Sequence, residues 1–395
     1  MTGIAHELSA WAVDLVPTDS DVELTNRSLL DTVSVAVAAR NEPTVRIAGD
    51  LSEPARWATA AHVLDFDDLH MPSTTHISAV CLPAALATDG DARAYLAGAG
   101  VMARIGTALG WSHYAAGWHA TSTSGALAAA VAAGIGLGLD ARRLTTAMAL
   151  AVPAAGGVQR AFGTDAKSLQ IGFAAEAGVR AARLAADGAT ADPGAVDSWL
   201  ELVGGDPNAV IVGGPAVPDG LAVKMFPCCY ALQRPISSLS ALAGDRVDPA
   251  QVCRVVVRTP KATVAPLLHH RPDTGLQAKF SMEYAVATTL LDGYPGFWSF
   301  TDAAVARPEA RQLMELVELQ LSDGGDWLLA GELEVEVHLV GELLFAREKY
   351  PPGSPQRPPT PDELARKVRE CLAGTGIDPG DIDWSTASRV LRHWL

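Results

Sequence analysis

The stretch GALAAAVAAGIGLGL (residues 125–139), echoed by GFAAEAGVRAARLAADG (172–188), decides the fold class. Both are dense in alanine and glycine and apolar on every side, which suits helices buried all round with close backbone approach to their neighbours. Working outward, apolar residues recur at spacings of three and four from the start to about residue 205, so this whole part is expected to be helical. The opening MTGIAHELSAWAVDLV carries Glu7 and Asp14 and no basic lead, as an amphipathic helix does and a signal peptide does not. The run 120–139 is broken by Thr121, Ser122, Thr123, Ser124 and several glycines, and makes a poor membrane span.

The character changes after about residue 220. QVCRVVVRTP (251–260) is short and β-branched, and LEVEVHLV (333–340) alternates Leu333, Val335, Val337 and Leu339 with Glu334, Glu336 and His338, the pattern of a half-buried strand. SMEYAVATTLLDG (281–293) and RPEARQLMELVELQL (307–321) read as helices between them. After the proline-rich PPGSPQRPPTP (351–361), Thr360, Pro361 and Glu363 supply an N-cap, an N1 proline and a capping-box acid for a helix to about Leu372. The expected architecture is mainly α: a discontinuous helical domain (1–220 and 351–395) with a smaller α+β lid domain (221–350) inserted.

Composition narrows the function. Lys and Arg total 30 against 45 Asp and Glu, a formal charge of −15, which excludes the basic stripe of a nucleic-acid surface. An anionic substrate would have to be met by local cations. Five cysteines without CxxC spacing fit reduced thiols in a cytoplasmic protein. No Walker A loop, strand–GxGxxG–helix unit or GxSxG elbow is present, so nothing supports a nucleotide cofactor.

Polar chemistry concentrates in HVLDFDDLHMPSTTH (62–76), which brings together His62, Asp65, Asp67, Asp68, His70 and His76. The set suits a metal site, metal-free acid–base chemistry, or simply a loop of satisfied polar side chains. In GWHATSTSG (117–125), His119 precedes a small-residue helix whose N-terminal field suits a carboxylate and keeps an imidazole neutral. Lys167 and Lys224 lie in apolar, low-charge surroundings, where a charge-assisted hydrogen bond to a substrate carboxylate is worth about 1.5–3 kcal/mol.

These landmarks, in this order, resemble the MmgE/PrpD family, whose members dehydrate, decarboxylate or epimerise small carboxylic acids. HVLDFDDLH followed by HISA (76–79) is similar to the family's LDFDDTH…HPSA, GWHAT to its GxHxT, FGTDAK (162–167) to its GTxxK and KMFPCC (224–229) to its KxYPxC. AKFSMEYAVA (278–287) resembles the segment leading into its lid helix, and PPGSPQRPPTPDELARKV (351–368) its PGSP…K stretch. The resemblance implies a large helical domain with an α+β lid, a homodimer, and cofactor-free and metal-free chemistry on a small carboxylate in the cleft. It places Asp65, His76, His119 and Lys167 as catalytic groups, and Asp68, Lys224 and Tyr284 as substrate-binding groups. The implied reaction is proton removal alpha to a carboxylate with loss of water from a hydroxy di- or tricarboxylic acid; decarboxylation and epimerisation are its nearest alternatives. Which histidine is the base is a matter of geometry.

The sequence departs from the family pattern at Leu69 (threonine), Ile77 (proline), Gln170 (histidine) and Phe226 (tyrosine). Losing a hydroxyl and an imidazole among them removes polar contacts and points towards a less charged or more apolar acid. Two competing classes remain: a metal-dependent hydrolase built on His62, Asp65, Asp67, Asp68, His70 and His76, and a non-catalytic carboxylate-binding relative.

Overall fold

The computed structural model describes residues 3–243, 247–325 and 327–395. Ten helices come first: α1 (Ile4–Asp14), α2 (Asp19–Ala38), α3 (Pro43–Ile47), α4 (Glu53–Val63), α5 (Ser78–Leu86), α6 (Ala92–Ala115), α7 (Ala120–Gly136), α8 (Ala141–Ala151), α9 (Ala166–Ala186) and α10 (Ala195–Leu202). At the centre lies α7, buried from Ala120 to Gly134 and packed against α5, α6, α8 and α9. Its small residues let the neighbours in: a Cβ on Gly98 of α6 would stand 2.7 Å from Ala132 Cβ, and one on Gly178 of α9 would stand 2.4 Å from Ala129 Cβ. Both are closer than van der Waals contact allows, so these crossings require glycine.

The remaining elements are α11 (Gln233–Ala243), β1 (Val252–Pro260), α12 (Gly275–Ala278), α13 (Met282–Asp292), α14 (Asp302–Val305), α15 (Pro308–Glu315), β2 (Val317–Ser322), β3 (Leu333–Leu339), β4 (Glu342–Glu348), α16 (Pro361–Cys371) and α17 (Ala387–Trp394). The sheet runs β2-β1-β3-β4, with β2 parallel to β1 and the other pairs antiparallel. Val255 and Val257 of β1 face Val337 and Val335 of β3, and all four are fully buried against the helices. At α16 the cap is as the sequence indicates: Thr360 accepts from the Glu363 N–H while the Glu363 carboxylate accepts from the Thr360 N–H.

One expected helix is two elements. The stretch 307–321 ends its helix at Glu315 and continues as β2, where Val317 to Ser322 pair with Val255 to Pro260. VELQLS alternates apolar and polar residues, and pairing to an already buried strand overrides the helical tendency of Glu, Leu and Gln. The strand β4 shows no clean alternation, because apolar residues lie on both its faces: Leu344 packs against the core, whereas Leu343 and Phe345 are more than half exposed.

Buried side chains form two clusters. One draws on Ile4 to Leu221 and again on Val368 to Leu391; the other spans Ala222 to Val337 and also takes in Leu69, Met71 and Phe162. Those last three stand on loops of the helical part, so the 62–76 segment and the 158–167 segment form the seam between the clusters. Among the described residues no helix is long and apolar enough to cross a membrane.

Candidate active site

The seam is organised by the loop leaving α4. Asp65 adopts a left-handed backbone (φ 53°), a conformation that costs a non-glycine residue about 1–3 kcal/mol and persists only when its surroundings fix it. Three buried lysines from three parts of the chain do so. Lys279 Nζ donates to the carbonyl of Leu64 at 2.8 Å, Lys224 to that of Asp65 at 3.0 Å, and Lys367 to that of Phe66 at 2.8 Å. Lys279 also reaches Pro227 O at 2.7 Å, and Lys367 pairs with Asp31 at 2.7 Å. Consecutive carbonyls each receive an ammonium, and the carboxylates that follow are held in place.

Asp65 pairs with Lys224, and its Oδ1 lies 3.3 Å from Lys167 Nζ. Burial works against its charge, but the two lysines outweigh burial and hold its carboxyl far below the usual range. Asp67, fully buried, is a hub: its Oδ2 accepts from His62 Nδ1 at 2.6 Å and lies 3.1 Å from His76 Nδ1. His76 Nδ1 is also 2.9 Å from the carbonyl of Asp68. Both neighbours of that nitrogen are acceptors, so it carries the hydrogen, and the unpartnered Nε2 keeps a free lone pair. His62 is fixed the same way, with Asp67 on Nδ1 and Lys167 Nζ on Nε2 at 2.7 Å.

His119 is turned the other way. It is the N-cap residue of α7, and its Nδ1 lies 2.5 Å from Gln170 Nε2. The amide of Gln170 is oriented by Val158, whose backbone N–H donates to Gln170 Oε1 at 3.1 Å. Gln170 therefore presents its NH₂ to His119, Nδ1 accepts, and the hydrogen of a neutral His119 sits on Nε2. Burial, chiefly, depresses all three imidazoles: His62 to about 4, His76 below its ordinary value and His119 well below it. At neutral pH the site holds two uncharged histidines of opposite polarity, one a bare lone pair and the other an N–H donor.

Asp65, His76, His119 and Lys167 line one cavity, closed down to about 20 Å³, the room of roughly one water molecule. Leu69, Phe162, Phe280 and Leu328 line it too, with Tyr114 and Tyr230. Three residues expected at substrate do not line it. Lys224 lies behind Asp65 with no exposure, its ammonium used by Asp65 and near Asp67. Asp68 turns to Ser78, accepting from its N–H at 3.1 Å and from its hydroxyl, and burial raises its carboxyl to about 7. Tyr284 is buried on α13 and donates to the carbonyl of Ser299. The hydroxyls at the start of α7 cap nothing: Thr121 accepts from the His76 N–H at 3.1 Å, and Ser122 donates to Gln170 O at 3.0 Å.

Sequence reasoning gave no working role to Gln170, Lys279 or Lys367, and named His62 only as one of a polar cluster open to metal, acid–base or structural readings. The contacts that give them a role are non-local: Gln170 meets His119, Lys279 and Lys367 meet the carbonyls of Leu64 and Phe66, and His62 meets Lys167. Of the six residues in that cluster, His62 and His76 with Asp67 have donor atoms within 4.8 Å of one another. Asp68 and His70 are committed elsewhere, the latter between Ser73 Oγ at 2.7 Å and Pro218 O at 2.8 Å. A divalent ion would displace the Nδ1 hydrogens that bind Asp67 and would face the ammonium groups of Lys167 and Lys224. The donor set suits hydrogen-bonded imidazoles better than a metal. Cys229 touches the cavity as a thiol that burial pushes up to about 12, which disqualifies it as a nucleophile.

Residues 56–199 match the MmgE/PrpD N-terminal domain, and residues 226–379 match the MmgE/PrpD C-terminal domain. The chain belongs to the MmgE/PrpD family. Among curated relatives, this family member is 24% identical to a cis-aconitate decarboxylase of Aspergillus terreus, over 95% of its own length and 90% of the relative's. It is 26% identical to the human cis-aconitate decarboxylase over 77% of this chain and 73% of that protein, and 28% identical to the mouse one over 66% and 59%. It is an enzyme, a lyase.

Proposed function

We propose that the enzyme removes a proton alpha to a carboxylate of a small hydroxy acid and expels the β-hydroxyl as water. The observation that carries this reading is the opposed pair of tautomers. His76 Nε2 takes the α-proton, and the electron pair moves first into the carboxylate as an aci-carboxylate and then into the new carbon–carbon double bond. The carbon–oxygen bond breaks, and the His76 imidazolium gives its proton to the departing hydroxyl, so water leaves and the base is restored. His119 Nε2–H and the Lys167 ammonium donate to the oxygens on which negative charge develops. A neutral imidazole serves as such an electrophile without itself ionising. The closed cavity keeps water from competing for the proton. A homodimer belongs to the same proposal and is read by light scattering.

Incubation in D₂O with citrate-, aconitate-, malate- and aspartate-like acids, followed by proton NMR, tests the reaction. Exchange at an α-carbon or appearance of an olefin is expected; silence across hydroxy acids of every charge would refute alpha-proton chemistry. A second reading, decarboxylation, is favoured by the names of the relatives. It needs a proton donor at the outset to quench the carbanion left by CO₂, whereas His76 is neutral at rest. The two give opposite slopes. Elimination requires neutral His76, so kcat/KM falls as pH drops through a pKa below 6.5. A decarboxylase using protonated His76 gains rate over the same interval. A pH–rate profile from 5 to 8 separates them.

Gln170 offers a further check. A Gln170→Glu carboxylate must accept from His119 Nδ1–H, so neutral His119 would turn a bare Nε2 towards developing negative charge. Turnover is expected to fall about tenfold or more at neutral pH, short of the 10²–10³-fold typical of losing an oxyanion donor outright. The deficit should shrink as acid restores the Nε2 hydrogen. A loss independent of pH would mean that Gln170 only packs.

A further inference from the structure

Charge and shape around the cavity bear on which acid it takes, granted the reaction proposed above. Among the described residues, Lys167 is the one cation lining the cavity. Its ammonium sits between Asp65 and His62 on one side and the rings of Phe162 and Phe280 on the other, 5.5 and 5.3 Å from their centres. The other lysines of the seam are spent: Lys224 on Asp65 and Asp67, Lys279 on the carbonyls of Leu64 and Pro227. Asp65 and Asp67 balance Lys167 and Lys224, and three neutral imidazoles add nothing. Lys279, held between two carbonyls, leaves the seam one surplus ammonium, but it does not line the cavity, where Lys167 already lies against Asp65.

One carboxylate can be met by Lys167, helped by the Nε2–H of His119. A second or third would be taken out of water with no cation to face it, and buried charge without a partner is strongly disfavoured. Beyond Lys167 and the histidines the wall carries no further cation among the described residues: Leu69, Phe162, Phe280 and Leu328 make an apolar side, and Thr74, Tyr114 and Tyr230 offer only neutral hydroxyls. An alkyl or aryl group there gains by leaving water, whereas a carboxylate loses its hydration.

We infer that the substrate is a 3-hydroxy acid with a single ionised carboxylate, seated on Lys167, and an apolar remainder lying against Phe162, Phe280, Leu69 and Leu328 once the cavity, about 20 Å³ at rest, has widened to admit it. The enzyme would convert it to the 2-enoic acid and water, the α-proton leaving first and the β-hydroxyl after it. Di- and tricarboxylic acids are poor ligands of this cavity.

Matched six-carbon acids test this in two arms. In the binding arm, the full-length enzyme is titrated with 4-methylpentanoate and with propane-1,2,3-tricarboxylate, neither of which can react. The monocarboxylate is expected to bind at least tenfold more tightly, and its binding should be lost in Lys167→Met. Equal or tighter binding of the tricarboxylate overturns the inference, as does failure of both to bind at 10 mM, since Lys167 would then be no carboxylate receptor. In the reaction arm, 3-hydroxy-4-methylpentanoate and citrate are compared by α-proton exchange in D₂O, and faster exchange of the former is expected. Exchange of citrate alone sinks the substrate class and leaves the acid–base reading standing. Tight monocarboxylate binding with no exchange in either acid sinks the acid–base reading and leaves the charge preference.

Discussion

A His76→Asn enzyme is expected to lose turnover by about 10²–10⁴-fold and, with it, the acid limb of the pH–rate profile. Asparagine can still satisfy Asp67 or the carbonyl of Asp68 from its amide, so the 62–76 loop should keep its shape. What disappears is the lone pair that His76 Nε2 offers the cavity while Asp67 holds Nδ1 at 3.1 Å. Exchange of the α-proton with D₂O should vanish together with product. His119→Asn makes the informative contrast. It removes a donor to developing charge, so kcat should drop about 10²–10³-fold, yet the acid limb should persist because the titrating base is still present. If His119→Asn abolished the limb and His76→Asn kept it, the roles would be reversed.

Lys224→Met should destabilise the fold by about 3–5 kcal/mol, the usual result of stripping one partner from a buried ion pair. Lys224 has no exposed surface, pairs with Asp65, and donates to the same residue's carbonyl at 3.0 Å. Without it, Asp65 keeps a left-handed backbone and a buried carboxylate with only Lys167, at 3.3 Å, to answer its charge. Urea unfolding monitored by tryptophan fluorescence should show the midpoint moving sharply at constant slope. The sign with pH follows from linkage. In the wild type, the lysines hold the Asp65 pKa below its unfolded value, so their contribution is present above about pH 4 and is lost as acid protonates the carboxylate. The variant's deficit should therefore narrow as pH falls. Asp65→Asn combined with Lys224→Met should recover part of the loss, because one buried charge of each sign is removed and Asp65 no longer needs an ammonium. A shift under about 1 kcal/mol would show that this pair behaves like an exposed one.

Much of the fold was legible because its determinants are local. The small-residue runs at 125–139 and 172–188 announce buried helices, the alternation at 333–339 announces a strand, and Thr360 with Glu363 announces a cap. What failed is non-local. VELQLS becomes β2 because β1 offers it an edge, which no window of sequence contains. The same divide runs through the site. The resemblance to the family singled out Asp65, His76, His119 and Lys167, and all four line the cavity. It also assigned substrate contact to Lys224, Asp68 and Tyr284, whose polar atoms are taken up by Asp65, Ser78 and the carbonyl of Ser299. Residue identity shows what a group can bind, and only its neighbours show whether that capacity is already spent. Gln170 illustrates the point: as a bare substitution it looked like a lost imidazole, and in place it dictates which nitrogen of His119 bears the hydrogen.

The most direct test of the account is the tautomeric state of the two cavity histidines. Long-range ¹H–¹⁵N correlation spectra of ¹⁵N-histidine-labelled enzyme at pH 7, assigned with the His76→Asn and His119→Asn variants, read it without knowledge of the substrate. The account predicts two neutral rings, with the hydrogen on Nδ1 in His76 and on Nε2 in His119. A hydrogen on His76 Nε2, or on His119 Nδ1, would contradict it.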